Sequence, residues 1–300
     1  MDEERPRLVL TFDLEDWHQI VHRSLGVPDW DRPHAAFERQ VETLLALLDE
    51  LGLHATFFVL GMCAKNYPAA VREIAARGHE LGSHGFEHVP VHRQTREDFR
   101  RDVEASIELV ESLVGRRPVG YRAPAFSITR ASAWAFELLS DVGFAYDSSQ
   151  YDTPRLPNRL LGIPDEPYRL EVRPGKELLE FPIAVGRWRG KRIPIGGGTY
   201  WRVLPQRVLF GALRGAASPQ AAPVLYFHPY ELDPKPLRTA GGPRARAAAN
   251  VLYWNARRGR ITRLLRAAAT EFELVSHERY LETAGSEART RSLSDEGAIV

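Results

Sequence analysis

The chain has 300 residues, of which 44% are hydrophobic and 26% are charged, and its formal net charge is +1. This composition is typical of a globular protein, and the near-neutral charge disfavours a nucleic-acid-binding protein. The single cysteine, Cys63, excludes an internal disulfide framework and a zinc site built from cysteines.

Short apolar strands alternate with amphipathic helices along most of the chain. Strands are predicted at 8–13, 55–61, 79–83, 119–123, 144–147, 178–183, 223–228 and 272–276. Helices are predicted at 35–50, 68–77, 95–114, 130–141, 205–215 and 244–268. The repeated order of strand and helix predicts a parallel sheet closed into a (β/α) barrel of seven or eight strands. An open doubly wound sheet is the alternative, but no glycine-rich phosphate loop follows strand one.

No break in composition marks a second domain, so residues 1–280 are predicted to form one domain. Segment 150–205 is rich in proline and glycine and is predicted to form loops over one end of the barrel. The polar tail, 281–300, is predicted to be disordered. The N-terminal residues MDEERPRLVL lack the apolar stretch of a secretory signal, and no apolar run is long enough for a transmembrane helix. We therefore expect a cytoplasmic protein.

Segment 234–270 contains nine basic residues and no acidic residue. It is either a solvated helix face or a surface for anionic lipid heads or an anionic polymer. The second reading predicts peripheral contact with a membrane or with polysaccharide-synthesis machinery. The oligomeric state is not predicted.

Ionisable side chains cluster at the ends of the predicted strands, where the functional residues of a parallel barrel gather. The residues at these ends are Asp13, Glu15, Asp16, His84, His88, Arg122, Asp147, His228 and Glu231. On a helical turn, the spacing of His84 and His88 places both imidazoles on one face. Two histidines and a carboxylate suit a divalent metal with open positions for water and substrate.

Arg122 and His228 each allow two interpretations. Arg122 is either a surface salt-bridge residue or the partner that keeps a carboxylate of strand one ionised. A lone histidine in an apolar strand is usually structural, but the position of His228 at a strand end favours catalysis.

Four short motifs together resemble those of the polysaccharide deacetylase family (the NodB homology domain, carbohydrate esterase family 4). They are TFDLED (11–16), SHGFEH (83–88), RAPAF (122–126) and LYFH (225–228). The resemblance covers about residues 8–280. FDLEDW, GGGTYWRVLP and YFHPYELDP resemble one branch, the exopolysaccharide-associated deacetylases of exosortase-containing bacteria. That branch has a DUF3473-type C-terminal part, which corresponds here to 205–280.

The resemblance implies a distorted (β/α)7 barrel of the NodB type that hydrolyses the N-acetyl group of an N-acetylhexosamine, usually with zinc. It implies that Asp13 is the base, that Arg122 positions it, and that His228 is the acid. His84, His88 and a nearby carboxylate would bind the metal. Most of the family has two adjacent aspartates in the first motif, whereas Asp13 is followed by leucine. Glu15 is the expected ligand because residues i and i+2 of a strand point to the same side, and Asp16 is its rival.

Other residues receive supporting roles in the expected site. Asp147 is expected either to orient His228 or to stabilise its own turn. A backbone N–H near Ala125 or Phe126 is expected to stabilise the oxyanion. The aromatic candidates for walls of a sugar-binding groove are Trp17, Phe126, Tyr151, Trp188, Tyr200 and Trp201, although aromatic residues usually serve as core or loop anchors. The glycines of segment 195–201 permit close backbone approach to a ligand.

Two further functions stay open from the sequence. One is a related amidase that acts on a small molecule such as a cyclic ureide or an acetylated polyamine. The other is a non-catalytic carbohydrate-binding protein. The expected partner is an N-acetylated glycan, and the absence of a signal sequence favours a cytoplasmic or lipid-linked precursor as the substrate.

Overall fold

The structure is a computed structural model that describes residues 5–152, 159–188, 190–218, 221–239, 242–284, 288–294 and 297–300. The strands are β1 (Arg7–Leu14), β2 (Thr56–Val59), β3 (Glu80–Ser83), β4 (Gly120–Tyr121), β5 (Tyr146–Asp147), β6 (Tyr168–Arg173), β7 (Lys176–Glu180), β8 (Val185–Trp188), β9 (Lys191–Pro194), β10 (Val224–Phe227), β11 (Glu273–Val275) and β12 (Arg289–Ser292). The α-helices are α1 (Trp17–Leu25), α2 (Ala36–Leu51), α3 (Gly61–Asn66), α4 (Pro68–Ala76), α5 (Arg96–Val114), α6 (Trp134–Val142), α7 (Gly198–Val203), α8 (Gln206–Ala216), α9 (Pro229–Leu232), α10 (Arg244–Asn255), α11 (Gly259–Glu271) and α12 (His277–Ala284). Among the described residues, no helix combines the length and the apolar character needed to cross a membrane.

Seven parallel strands form a distorted barrel, which confirms the predicted fold. The main sheet has the order β10-β1-β2-β3-β4-β5-β7-β6-β12, and β11 pairs with the beginning of β1. The barrel closes after β7, where Ile183 forms a parallel bridge with Val224 of β10. Among the described strands of this sheet, the β6–β7 pair alone is antiparallel, and β8 and β9 form a separate hairpin.

The alternation of side chains in β1 explains how the barrel is filled and where its functional residues point. Leu10, Phe12 and Leu14 pack in the main apolar cluster with side chains from α2 and α11. Val9 packs in a different cluster, with residues of β2, β5 and β10. Because alternate residues of a strand face opposite sides, the column Val9, Thr11, Asp13 lines the barrel interior. Asp13 therefore lies at the carboxyl end of that column.

The segment predicted to form loops, 150–205, contains three strands that the sequence reading missed. The turn of the β6–β7 hairpin includes Gly175, whose φ of 73° is in the left-handed region. Pro174 and Gly175 thus form a tight turn between strands, whereas the described residues between β5 and β6 form no helix or strand, as the sequence predicted. The predicted helix 244–268 is also wrong as a single element, because Arg257 adopts a φ of 55° between α10 and α11.

The prediction of a disordered tail is wrong for the described residues after 287. β12 pairs in parallel with β6 from Arg289 to Ser292. Ile299 is buried, and its N–H donates to the carbonyl of Leu161 at 2.8 Å. The tail is polar, but β6 offers it an edge of backbone donors and acceptors, and this backbone pairing is not visible in composition.

Candidate active site

The predicted site residues meet at the carboxyl end of the barrel. His84 follows β3, Arg122 follows β4, and His228 follows β10. In a parallel barrel these strand ends surround one mouth. The structure brings them together with Asp13 and Glu15, in contacts of 2.8 to 3.9 Å between neighbouring side chains.

Glu15 contacts both histidines of the predicted metal site. Its Oε1 lies 2.9 Å from His84 Nε2 and 2.8 Å from His88 Nε2. His84 Nδ1 lies 2.8 Å from the carbonyl oxygen of Arg122. Because a carbonyl can only accept, Nδ1 carries a proton, so Nε2 is the nitrogen that a neutral His84 would offer to a cation. Burial opposes ionisation of Glu15, but the charge of His88 and the hydrogen bonds from both imidazoles hold its pKa well below its ordinary value.

Asp16, the rival ligand, points away from this cluster. Its carboxylate caps α1 by accepting the N–H of His18 at 2.9 Å, and it also accepts the hydroxyl of Tyr67. Among the described residues, one group of potential ligand atoms within 4.8 Å of one another contains Glu15, His84 and His88, and a second contains Asp13, Glu15 and His228; Asp16 belongs to neither. Glu15 is therefore the carboxylate that the fold brings to the histidine pair.

A turn, and not the helical turn expected from sequence, sets the positions of His84 and His88. Gly85 and His88 have φ values of 72° and 56°. Asp102 of α5 accepts the N–H of Phe86 at 2.8 Å and the N–H of Glu87 at 3.0 Å. A Cβ on Gly85 would lie 2.7 Å from the Asp102 carboxylate. Sequence reasoning missed Asp102, which only appeared as a polar residue within an amphipathic helix.

Arg122 is fully buried and contacts Asp13, as expected. Its Nη1 donates to Asp13 Oδ1 at 2.8 Å and to Thr11 Oγ1 at 2.7 Å. Its Nε and Nη2 donate to the carbonyl and the hydroxyl of Ser148, both at 2.9 Å. The ring of Phe58 lies 4.2 Å from the guanidinium carbon. A planar donor with this many fixed partners locks the orientation of the carboxylate that it holds.

His228 faces the same carboxylates from the end of β10, the strand next to β1. Its Nε2 lies 3.9 Å from Asp13 Oδ2 and 3.8 Å from Glu15 Oε2. Its Nδ1 donates to Glu231 Oε2 at 3.0 Å, and its ring stacks on Tyr230 at 4.7 Å. Burial lowers the pKa of His228, but the hydrogen bond to Glu231 and the nearby carboxylates raise it to about 9.

Glu231, and not Asp147, is the carboxylate that orients His228. The Asp147 carboxylate instead accepts the hydroxyl of Ser149 at 2.6 Å, which corresponds to the alternative role in its own turn. Burial raises the pKa of Asp147, and burial together with the charge of Asp147 raises the pKa of Glu180 well above its ordinary value. The sequence signal for Glu231 was its position three residues after His228, where it forms a capping box at the start of α9.

Two glycines of segment 195–201, which was expected to allow a ligand close to the backbone, face protein side chains instead. A Cβ on Gly197 would lie 2.6 Å from the hydroxyl of Tyr226, and one on Gly198 would lie 2.3 Å from Glu231 Oε1. Both distances are too short for a real Cβ. These glycines therefore allow Tyr226 and Glu231 to pack against α7.

Two of the proposed groove aromatics are core residues, so their assignment to substrate contact is wrong. Trp17 is 1% exposed and packs with Val21 and Leu25 of α1. Trp201 is fully buried, and its Nε1 donates to the carbonyl of Ile195 at 2.9 Å.

The remaining aromatic candidates divide by location. The ring of Phe126 lies at the site, 4.8 Å from that of Tyr226, 5.2 Å from that of Tyr151 and 5.9 Å from the guanidinium of Arg122. Tyr200 is half-buried against the main apolar cluster. The side chain of Trp188 lies outside the described residues.

At the mouth of this parallel barrel, a His-His-carboxylate cluster lies beside a buried Asp-Arg pair. The profile of the polysaccharide deacetylase family matches residues 2–145, and that of a domain of unknown function, DUF3473, matches residues 148–281. The N-terminal half of the chain thus belongs to the polysaccharide deacetylase family, and the region that matches DUF3473 contributes the strands that complete the barrel.

Named relatives agree with this assignment. A peptidoglycan deacetylase of Helicobacter pylori is 32% identical over 121 residues, which are 40% of this chain and 40% of the relative. A chitooligosaccharide deacetylase of Azorhizobium caulinodans is 28% identical over half of this chain and 69% of the relative. The chain thus spans only about two fifths of the length of the first of these relatives. The crystal structure of a putative polysaccharide deacetylase from Mycobacterium smegmatis superposes with a TM-score of 0.65 at 21% identity, covering 98% of this chain and 96% of that one, and shows the same fold.

Proposed function

We propose that this chain is a metal-dependent deacetylase that hydrolyses the N-acetyl group of N-acetylhexosamine units. The substrate that we propose is a polysaccharide or a lipid-linked oligosaccharide of exopolysaccharide biosynthesis. One observation carries the proposal. Glu15 joins two imidazoles on one side, while Asp13 and His228 approach it from the other. The family and the named oligosaccharide deacetylases support the reaction class.

Glu15, His84 and His88 would hold the cation, which we propose is zinc. Two imidazole nitrogens and one carboxylate oxygen are common zinc ligands, and three protein ligands leave a coordination position open. The donor atoms lie within 4.8 Å of one another, and the tautomer of His84 leaves Nε2 available. When bound, such a cation polarises the amide carbonyl and lowers the pKa of an adjacent water.

Asp13 is proposed to accept the proton of the attacking water. Arg122 occupies Oδ1, so Oδ2 is the oxygen that faces His228 and the interior of the site. A fixed carboxylate at hydrogen-bond reach of the water contributes to catalysis as a general base. Removing its charge should therefore impair the reaction without removing a ligand of the cation.

His228 is proposed to donate a proton to the departing amine from Nε2. With a pKa of about 9, its imidazole is cationic at neutral pH. Glu231 holds Nδ1, so only Nε2 points into the site. The proton reaches the nitrogen as the C–N bond breaks, and the products are acetate and a free amine.

A backbone donor near the RAPAF motif is proposed to stabilise the oxyanion. The N–H of Phe126 already donates to the carbonyl of Ala123 at 3.0 Å. We therefore assign the role to the N–H of Ala125, an exposed residue with a φ of 53°.

The test combines metal analysis with acetate release from N-acetylglucosamine oligomers. Asp13→Asn and His228→Ala should each lower acetate release by at least ~10², the scale of a lost general base or acid, and should retain the metal. His84→Ala should lose the metal. The matched controls are Asp29→Asn and His54→Ala at exposed positions, which should leave both quantities unchanged. Full activity of Asp13→Asn would refute the assigned base.

A further inference from the structure

Helix α10 lies on the surface with an apolar side turned outward. No residue of this helix is buried, and Ala247, Val251 and Trp254 on one side are half-buried against the cluster around Trp17. On the opposite side, Leu252 and Tyr253 are 75% and 49% exposed. The exposed alanines 245, 248 and 249 continue this outward face.

Val203 of α7 extends the same apolar surface and is 56% exposed. Arg202 Nη1 donates to the carbonyl of Tyr253 at 2.8 Å, and the hydroxyls of Tyr253 and Thr199 lie 2.9 Å apart. The two helices are therefore in contact. Large exposed apolar side chains that cluster on adjacent helices indicate an interaction site, whereas scattered ones do not.

Basic side chains surround this apolar surface. Arg258 and Arg260 are committed to the fold, because they donate to backbone carbonyls of Tyr230 and Leu204, among others. Arg244, Arg246 and Arg257 are exposed, and within the described part of the chain no carboxylate forms an ion pair with any of these three. Their charge is available to an anionic partner.

We propose that α10 and the end of α7 dock on a membrane surface that contains anionic lipids. Leu252, Tyr253 and Val203 would insert among the headgroups, and the three exposed arginines would face lipid phosphates. Exposed apolar side chains beside exposed arginines suit an anionic membrane surface, where apolar groups enter the headgroup region and cations face lipid phosphates. An anionic polymer would also attract the arginines, but it would not require an inserted leucine.

The inward side of α10 lies beside the candidate active site. The ring of Trp254 contacts that of Tyr230 at 5.4 Å, and Tyr230 stacks on His228 at 4.7 Å. Docking through the outward side would therefore leave one helix between the lipid surface and this wall of the site. The inference does not depend on the proposed reaction, because lipid binding is measured without turnover.

The test is co-sedimentation of the purified full chain with vesicles of phosphatidylcholine alone or with one-third phosphatidylglycerol. We expect binding to the anionic vesicles only, weakened roughly tenfold by Leu252→Asp because the insertion is lost. Arg246→Ala should weaken it about fivefold, the share of one basic residue near an anionic surface. Val300→Asp, at a position 60% exposed on the β12 side, is the matched control and should bind like the wild type.

Three results would overturn the proposal. One is equal binding to neutral and anionic vesicles, and another is binding that Leu252→Asp leaves unchanged. The third is a dimer in sedimentation velocity that Leu252→Asp dissociates, which would assign the face to a second copy of the chain. Thermal unfolding of each variant verifies that a loss of binding is not a loss of fold.

Discussion

Replacing Glu231 by glutamine tests how the structure keeps His228 protonated. Glutamine preserves the size of the side chain and can still accept from His228 Nδ1, but it removes the negative charge 3.0 Å away. The pKa of His228 is about 9 in the wild type, and an opposite charge this close accounts for ~1–3 units. We expect the variant to have a pKa near ~7.5.

The expected effect on rate depends on pH in a defined direction. An acid must be protonated to work, so lowering its pKa moves the alkaline limb of the pH–kcat profile to lower pH. At about pH 8.5 the protonated fraction would fall from ~76% to ~9%, which is a loss of roughly eightfold in kcat. At about pH 6.5 the loss would be under ~10%. A bound cation acts on both proteins alike, so the shift between them isolates the effect of Glu231.

The assay is acetate release from N-acetylglucosamine oligomers at saturating substrate between pH 6 and 10. Glu97→Gln, at an exposed position of α5, is the control for the loss of one negative charge and should keep the wild-type profile. An alkaline limb in the same place for Glu231→Gln and the wild type would refute the reasoning. A uniform loss at every pH would indicate that the residue sets only the position of the imidazole.

Three further perturbations follow from contacts around the site. Gly198→Ala places a methyl group against the Glu231 carboxylate, so we expect kcat to fall at least ~10-fold while metal content is retained, measured by acetate release and metal analysis. Asp102→Asn can accept only one of the two N–H groups of the 84–88 turn, so metal affinity should weaken ~10–100-fold in a competition titration with a chelator. The raised pKa of Glu180 stabilises the folded protein fully below the pKa of the unfolded state, and this stabilisation is lost as pH rises through the pKa of the folded state. Glutamine does not titrate, so Glu180→Gln lacks this loss. In urea unfolding, its stability relative to the wild type should therefore increase from pH 5 to pH 9.

Each of these expectations has a matched comparison. Gly211→Ala, where a Cβ meets open space, should behave like the wild type, and equal activity of Gly198→Ala would contradict the packing argument. Asp98→Asn, at an exposed position of α5, should leave metal affinity unchanged, whereas an equal loss in both aspartate variants would contradict a specific role for Asp102. A constant stability difference between Glu180→Gln and the wild type across pH would contradict a raised pKa of Glu180.

Features that depend on local periodicity could be predicted from sequence. The alternation in β1 gave a buried strand with acids at its end, and i, i+2 geometry favoured Glu15 over Asp16. Thr95, a typical N-cap residue before the amphipathic segment 95–114, accepts the N–H of Asp98 at the start of α5. The Asp13–Arg122 contact followed from two strand ends of one barrel.

Features that depend on contacts between distant segments could not be predicted. Asp102 reaches the 84–88 turn from a helix whose pattern shows only which face is buried. Glu231, and not Asp147, is the partner of His228, because α9 begins immediately after β10 and its third residue, Glu231, hydrogen-bonds back to His228. The pairing of β12 with β6 depends on backbone groups at a sheet edge, which carry no signal in a polar tail.

The central claim is that Glu15, His84 and His88 hold a cation for an amide hydrolysis carried out by Asp13 and His228. The most direct measurement is metal content and acetate release on the same samples of wild type and Asp13→Asn, with N-acetylglucosamine oligomers as substrate. We expect one divalent cation per chain in both proteins, and acetate release lowered at least ~10² in the variant. A fully metal-loaded wild type that releases no acetate, or a variant as active as the wild type, would contradict the account.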